Sequence, residues 1–228
     1  MSETWIVTGG TGALGRAVVD AALDAGARVL VPWIVTAEQE ALAAARAGAV
    51  DAGRLELLEA DVAEEAGAAA VARRATDATV LVNGVGGFAG GAPVHETGLD
   101  LWDRMYRMNV RTAAAMARAV APGMIERGRG VIVNVASQAA LDAPPGIAAY
   151  AASKAAVAVL TRALQRELGD HGIRVNALVP TTIDTPANRA AMPDADFASW
   201  TPPARIAAVV RWLASDEAAT VRGGAIPV

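Results

Sequence analysis

Tyr150 and Lys154 stand four residues apart in the stretch Tyr150-Ala151-Ala152-Ser153-Lys154, and Ser137 lies thirteen residues before the tyrosine. On a helix that spacing brings a phenol and an ammonium to one face. A fixed ammonium there lowers a phenol's pKa from about 10 towards neutrality and makes tyrosine a usable proton donor and acceptor. Ser137, at the end of a β-branched run, is placed to hydrogen-bond a substrate carbonyl while a nicotinamide delivers hydride to its carbon. The same residues also suit an ordinary amphipathic helix, so the rest of the chain must decide between the two readings.

A second chemical signal is Thr8-Gly9-Gly10-Thr11-Gly12-Ala13-Leu14-Gly15, which follows a short strand and opens an alanine-rich helical segment from Arg16 to Ala25. Glycines let the backbone approach a pyrophosphate, whose charge is favoured by the free N–H groups and dipole of a helix N-terminus. Gly9, Thr11, Gly12, Ala13, Leu14 and Gly15 are therefore candidate cofactor residues. Asp61-Val62 after the third strand, and Asn83-Gly84 after the fourth, put small or polar groups where an adenine and its ribose would lie. Each pair alone reads equally as a helix cap or a turn.

An acid near the end of the second strand would bind the ribose 2′-hydroxyl of NAD(H). Here the chain reads Val31-Pro32-Trp33-Ile34-Val35-Thr36, and no acid comes before Glu38. The expectation therefore inclines to NADP(H) over NAD(H), although no Arg or Lys replaces the acid.

Seven short runs read as strands: Trp5–Thr8, Arg28–Val31, Arg54–Leu58, Thr79–Val82, Val131–Val135, Arg174–Val179 and Ala225–Val228. Between them lie stretches mostly long enough for helices. In one, Leu101, Met105, Met108 and Thr112 mark a buried helical stripe. The alternation predicts an α/β, doubly wound Rossmann fold: a seven-stranded parallel sheet flanked by helices, one domain over 1–228, with ligands at the carboxyl ends of the strands. The segment from Asp184 to Pro203, with four prolines, is either a lid over the pocket or a surface connection.

Composition narrows the function. The chain has no cysteine and two histidines, which excludes thiolate metal sites and argues against a metal site of any kind. A net charge of −4 with scattered Lys and Arg gives no footprint for nucleic acid. The longest apolar run, Val29 to Val35, is far short of a membrane span, so no membrane partner is expected. The opening MSETWIVTGG carries no apolar leader, giving a cytoplasmic expectation.

Through TGGTGALG, Asp61-Val62, Asn83-Gly84, Asn109, Ser137, Tyr150 and Lys154, the chain resembles the short-chain dehydrogenase/reductase family almost end to end. The resemblance implies a Ser137-Tyr150-Lys154 site assisted by Asn109, whose equivalent kinks its helix and holds a water that relays protons. It also assigns Tyr150 and Lys154 to the nicotinamide ribose, and Pro180, Ile183 and Thr185 to the carboxamide. A homotetramer or homodimer is implied, built on Leu99–Arg118 and Tyr150–Leu168. The chain departs from the family pattern at Ala13 and Thr181, where glycines are usual, and in the shortness of 184–203.

Two stretches, Gly86–Gly91 and Ala139–Gly146, resemble quinonoid dihydropteridine reductases of the same superfamily. Three functions stay open at this point. They are a carbonyl or alcohol oxidoreductase acting on a small ketone or 3-oxoacyl substrate, a pterin reductase, and a catalytically silent nucleotide sensor.

Overall fold

The computed structural model describes residues 3–228. Seven parallel strands, β1 (Thr4–Thr8), β2 (Arg28–Trp33), β3 (Leu55–Glu59), β4 (Val80–Asn83), β5 (Gly130–Val135), β6 (Ile173–Val179) and β7 (Ala225–Pro227), form one sheet. Their order is β3-β2-β1-β4-β5-β6-β7, so the winding reverses between β1 and β4. That reversal opens a crevice at the carboxyl ends of the two strands, where doubly wound sheets bind ligands.

The helices are α1 (Ala13–Asp24), α2 (Thr36–Ala45), α3 (Ala47–Asp51), α4 (Glu65–Arg74), α5 (Leu99–Tyr106), α6 (Thr112–Arg127), α7 (Ala139–Asp142), α8 (Ala148–Leu168), α9 (Pro186–Ala191) and α10 (Pro203–Ala214). None of them is long and apolar enough to cross a membrane. Along β1 successive side chains alternate between the two layers, as the pleat dictates. Trp5 and Val7 pack towards α1 and α10 with Val18, Val19, Ile206 and Val210. Ile6 packs on the other face with Val71, Met116, Val120 and Met124 of α4 and α6.

Strand limits move slightly from expectation. The third runs Leu55–Glu59, one residue later than predicted, and the second extends through Pro32 to Trp33. Proline fits because β2 pairs with β1 only as far as Leu30, so the missing N–H removes no bond on that side. Odd-numbered residues of β2 face β3, as in the bond from Val29 N to the Arg54 carbonyl.

The stripe predicted through Leu101, Met105, Met108 and Thr112 is broken by a π-turn over Arg107–Arg111, between α5 and α6. The wider turn resets the helical phase, which buries Asn109 and Val110 as well as Met105 and Thr112. Single π-turns of this kind commonly mark functional positions.

Candidate active site

Five segments converge on a cavity of about 790 Å³ at the carboxyl ends of β1, β4, β5 and β6. Its walls include Leu14, Gly84, Gly86, Phe88, Ser137, Tyr150, Lys154, Pro180 and Ile183. That volume lies within the range of small-molecule sites.

Tyr150 and Lys154 occupy the first turns of α8, a 21-residue helix whose buried stripe runs through Ser153, Lys154, Val157 and Thr161. Burial of that stripe against the sheet carries both reactive groups to the mouth of β5. Lys154 is 5% exposed, and its Nζ donates to the Val135 carbonyl at 2.9 Å. Desolvation lowers its pKa to about 8. The ammonium lies 6.0 Å from the centre of the Tyr150 ring. Ser137, just past β5, is buried, and its Oγ accepts from Ala139 N at 3.2 Å at the start of α7.

One expectation requires correction. Burial raises the Tyr150 pKa above its ordinary value, with a hydrogen bond to Ser137 acting in the opposite direction. Burial outweighs any pull from Lys154 in this state, where the ammonium bonds the Val135 carbonyl and lies 6.0 Å from the centre of the ring. Tyr150 is therefore set as a proton donor at neutral pH.

Asn109 meets the site indirectly. Its Oδ1 accepts from Gly87 N at 2.9 Å, and its Nδ2 donates to the Gly87 carbonyl at 3.1 Å and to Ser153 Oγ at 2.9 Å. Ser153 in turn donates to the Tyr150 carbonyl at 2.7 Å. The π-turn thus ties the β4 loop to the first turn of α8. Gly86 is needed at this junction, since a Cβ there would stand 2.8 Å from Asn109 Oδ1 and 3.1 Å from Lys154 Nζ.

The glycine loop joins β1 to α1. Gly9 takes φ +68°, and a side chain there would collide with the Gly84 backbone at 2.7 Å. A Cβ on Gly15 would overlap the Gly9 carbonyl, and one on Gly10 would press Val31 at 2.8 Å. Gly10 was not among the expected residues. Gly12, the N-cap of α1, differs: a Cβ would make only an ordinary 3.4 Å contact with the Gly9 carbonyl. Packing leaves room for a side chain there, and glycine suits the N-cap of α1. Gly12→Ala is expected to cost at most about 1 kcal/mol of stability while weakening NAD(P)H binding at least about tenfold, read by cofactor fluorescence. Unchanged affinity would remove Gly12 from the cofactor site.

Ala13 and Leu14 form the first turn of α1, and Leu14 reaches the cavity. The departures from family pattern are absorbed without strain. Ala13 is an ordinary helical position, and Thr181 is not in the left-handed region, where Ala143 at φ 43° is the one described residue other than glycine.

Not every expected cofactor residue faces the cavity. Asn83 Nδ2 donates to Asn134 Oδ1 at 2.8 Å, and Asn134 Nδ2 passes to Thr161 Oγ1 at 2.8 Å, a buried ladder binding β4, β5 and α8. Gly84 beside it does line the cavity, held by Gly84 N to the Thr8 carbonyl at 3.2 Å. Thr185 Oγ1 accepts from Asn188 N at 3.1 Å and caps α9. Asp61 sits past β3 with Oδ1 on Ala63 N at 2.9 Å and Oδ2 on Arg107 at 3.0 Å, and Val62 is buried beside it.

Two further residues were invisible to spacing. Trp33 stands at the end of β2, where an acid was sought, and its buried indole N–H has no hydrogen-bond partner among the described residues. Glu38, from the first turn of α2, accepts from Thr11 Oγ1 at 2.7 Å and so reaches the glycine loop. Arg16 Nε donates to the Thr11 carbonyl at 2.8 Å alongside. A glycine cradle beside a helix N-terminus, with an unpartnered buried donor at the end of β2, fits a dinucleotide.

The segment 184–203 folds over one side of the cavity. Asn188, Ala191 and Met192 of its first part line the wall. It is braced internally by a two-pronged Arg189–Asp184 pair at 2.6 and 2.8 Å and by Arg189 over the Phe197 ring.

Comparison with known proteins agrees with this geometry. The family profile described as short chain dehydrogenase matches residues 3–196. Galactitol 2-dehydrogenase of Rhizobium johnstonii is 36% identical over 99% of this chain and 93% of its own length. D-threitol dehydrogenase of Mycolicibacterium smegmatis is 36% identical over 96% of this chain and 88% of its own. A solved structure described as an NAD(P)-dependent gluconate 5-dehydrogenase from Beutenbergia cavernae, with NADP at low occupancy, superposes with a TM-score of 0.88. It is 33% identical and covers 99% of this chain and 94% of that one. The chain belongs to the short-chain dehydrogenase family and is an NAD(P)-dependent oxidoreductase.

Proposed function

We propose that this enzyme interconverts a secondary alcohol and a ketone of a small molecule, with Tyr150 exchanging the proton on oxygen. The observation that carries the reading is the meeting of Ser137, Tyr150 and Lys154 in one cavity beside the glycine loop. When bound, the nicotinamide cofactor supplies or accepts the hydride at the substrate carbon. Gly9, Gly12 and the start of α1 would hold its phosphates, and Lys154 would meet the ribose. Pro180 and Ile183 would wall the nicotinamide end. The Tyr150 hydroxyl gives its proton to the carbonyl oxygen, and Ser137 holds that oxygen in line. Asn109 keeps the Gly86–Gly87 backbone and the first turn of α8 in register.

Two of its named relatives are named for polyols and the third for the hydroxy acid gluconate, which supports an alcohol substrate over a 3-oxoacyl one. The stretches that resemble dihydropteridine reductases do reach the cavity at Phe88, Ala139 and Pro144, but Ser137, which those enzymes lack, stands among them. The test is oxidation of NADPH and NADH against a panel of ketoses, diketones, 3-oxoacyl thioesters and quinonoid dihydropterin. Turnover of ketones is expected, and turnover of the pterin alone would overturn the reading.

No acid precedes Glu38 after the second strand, which favours NADP(H). Since Glu38 itself reaches Thr11, its carboxylate opposes a 2′-phosphate on that side of the loop. We therefore place cofactor discrimination on Glu38. Glu38→Gln is expected to shift the NADP-to-NAD ratio of kcat/KM towards NADP by about tenfold, the effect of one nearby like charge. An unchanged ratio would move discrimination elsewhere.

We also propose that the protein is cytoplasmic and self-associates through α5 and α8. Leu99, Tyr106 and Val159 on these helices are 80%, 58% and 54% exposed and would be covered by such an association. Light scattering that shows a monomer at all dilutions would refute the association.

A further inference from the structure

Resting on the alcohol–ketone reading, we propose that the cavity selects an uncharged, hydroxyl-bearing substrate and turns anionic ones away, with Asp142 as the discriminating residue. Among the residues lining the cavity, two side chains carry formal charge, Lys154 and Asp142. Lys154 is buried behind Tyr150 with its Nζ on the Val135 carbonyl, so it does not face a substrate tail as a free cation. Arg189 of segment 184–203 follows the lining residue Asn188, but both of its prongs are held by Asp184 and its Cζ lies 4.6 Å from the centre of the Phe197 ring. The charge left at the mouth is a carboxylate.

The hydrogen-bonding inventory points the same way. Gln138 Nε2 donates to Asp142 Oδ1 at 2.9 Å, and Asn188 Nδ2 donates to the Ile183 carbonyl at 2.8 Å. What these bonds leave uncommitted at the rim is Asp142 Oδ2, Gln138 Oε1 and Asn188 Oδ1, together with one N–H on each amide. The carboxylate oxygen can only accept and so complements a substrate hydroxyl proton, while each amide can meet a hydroxyl as donor or as acceptor. A carboxylate, sulfonate or phosphate tail would find the amide N–H groups but no free cation, and would face one like charge at Asp142. Opposite this rim, Phe88 lies edge-on to Tyr150 with ring centres 5.0 Å apart, an apolar wall suited to the carbon face of a chain.

The test compares kcat/KM within matched sets of one carbon skeleton: an alditol, its aldonate and its amino-alditol, with ethyl acetoacetate and acetoacetate as a smaller pair. The neutral member of each pair is expected to exceed the anionic one at least about tenfold, the scale of one like-charge contact in a partly solvated site. Asp142→Asn should narrow that ratio about tenfold, Asp142→Lys should invert it, and added salt should narrow it in the native enzyme. A merely structural Asp142 would scale all substrates together and leave the ratio fixed, which would overturn the proposal, as would equal or better turnover of the anions. Absence of turnover across every set in a protein that binds cofactor would instead overturn the alcohol–ketone reading on which it rests.

Discussion

Tyr150→Phe is expected to lower kcat/KM for alcohol oxidation and ketone reduction by about a thousandfold, within the range for loss of a positioned general acid–base, while cofactor affinity changes little. The substitution removes one hydroxyl and keeps the ring, so the edge contact with Phe88 survives. Because burial raises the phenol's pKa, Tyr150 is protonated at neutral pH and ready to donate in the reductive direction. Oxidation needs the phenolate, whose fraction grows about tenfold per pH unit below the pKa. In the native enzyme kcat/KM for oxidation should therefore climb as pH rises above neutrality, and the same climb should vanish in the phenylalanine variant. A flat oxidative profile would assign the proton transfer to another group.

The second large effect lies on Lys154 and runs in opposite directions for activity and stability. Lys154→Met should abolish measurable turnover, yet yield a more stable protein in the absence of cofactor. With the ammonium desolvated and its folded pKa near 8 against an ordinary 10.5, the unfolded chain binds more protons than the folded one between those values. Stability therefore rises as pH climbs from 8 to 10.5, and below pH 8 the folded protein carries the full cost of the buried charge. That cost is about 3 kcal/mol from the pKa difference, partly offset by about 1 kcal/mol from the bond to Val135. A net gain of about 2 kcal/mol is expected for the methionine variant at pH 7 by urea denaturation, shrinking towards pH 10. A destabilised variant at pH 7 would show that the ammonium is not held at a cost. Residues that carry chemistry commonly strain the fold in this way.

Sequence reading reached the parts of the site that follow from local periodicity and failed where contacts run between elements. Tyr150 and Lys154 were legible because helical spacing alone places them together, and Ser137 because a β-branched run ends just before it. The strand count and doubly wound class followed from the same periodicities, with strand ends off by a residue or two where pairing, not composition, sets the limit. Glu38 was passed over as too late for the second strand. Only the fold shows that the first turn of α2 swings its carboxylate onto Thr11. Asn83 was expected at the cofactor by position, and no spacing along the chain reveals that its amide nitrogen bonds Asn134 on the neighbouring strand. The stripe Leu101, Met105, Met108 and Thr112 is buried or half-buried as expected, but the burial of Asn109 and Val110 beside it comes from a π-turn that no regular period shows. The raised Tyr150 pKa was not legible because proximity of an ammonium was weighed without the burial of the phenol itself.

The central claim is that hydride passes between substrate carbon and nicotinamide while Tyr150 takes the hydroxyl proton. Its most direct test follows a secondary alcohol, deuterated at the carbinol carbon, through one turnover with the oxidised cofactor, and analyses the reduced cofactor by mass spectrometry. The account predicts one deuterium in the reduced nicotinamide from the native enzyme and almost none formed by Tyr150→Phe in the same time. Reduced cofactor without the label, or label transferred as fast by the variant, would contradict it.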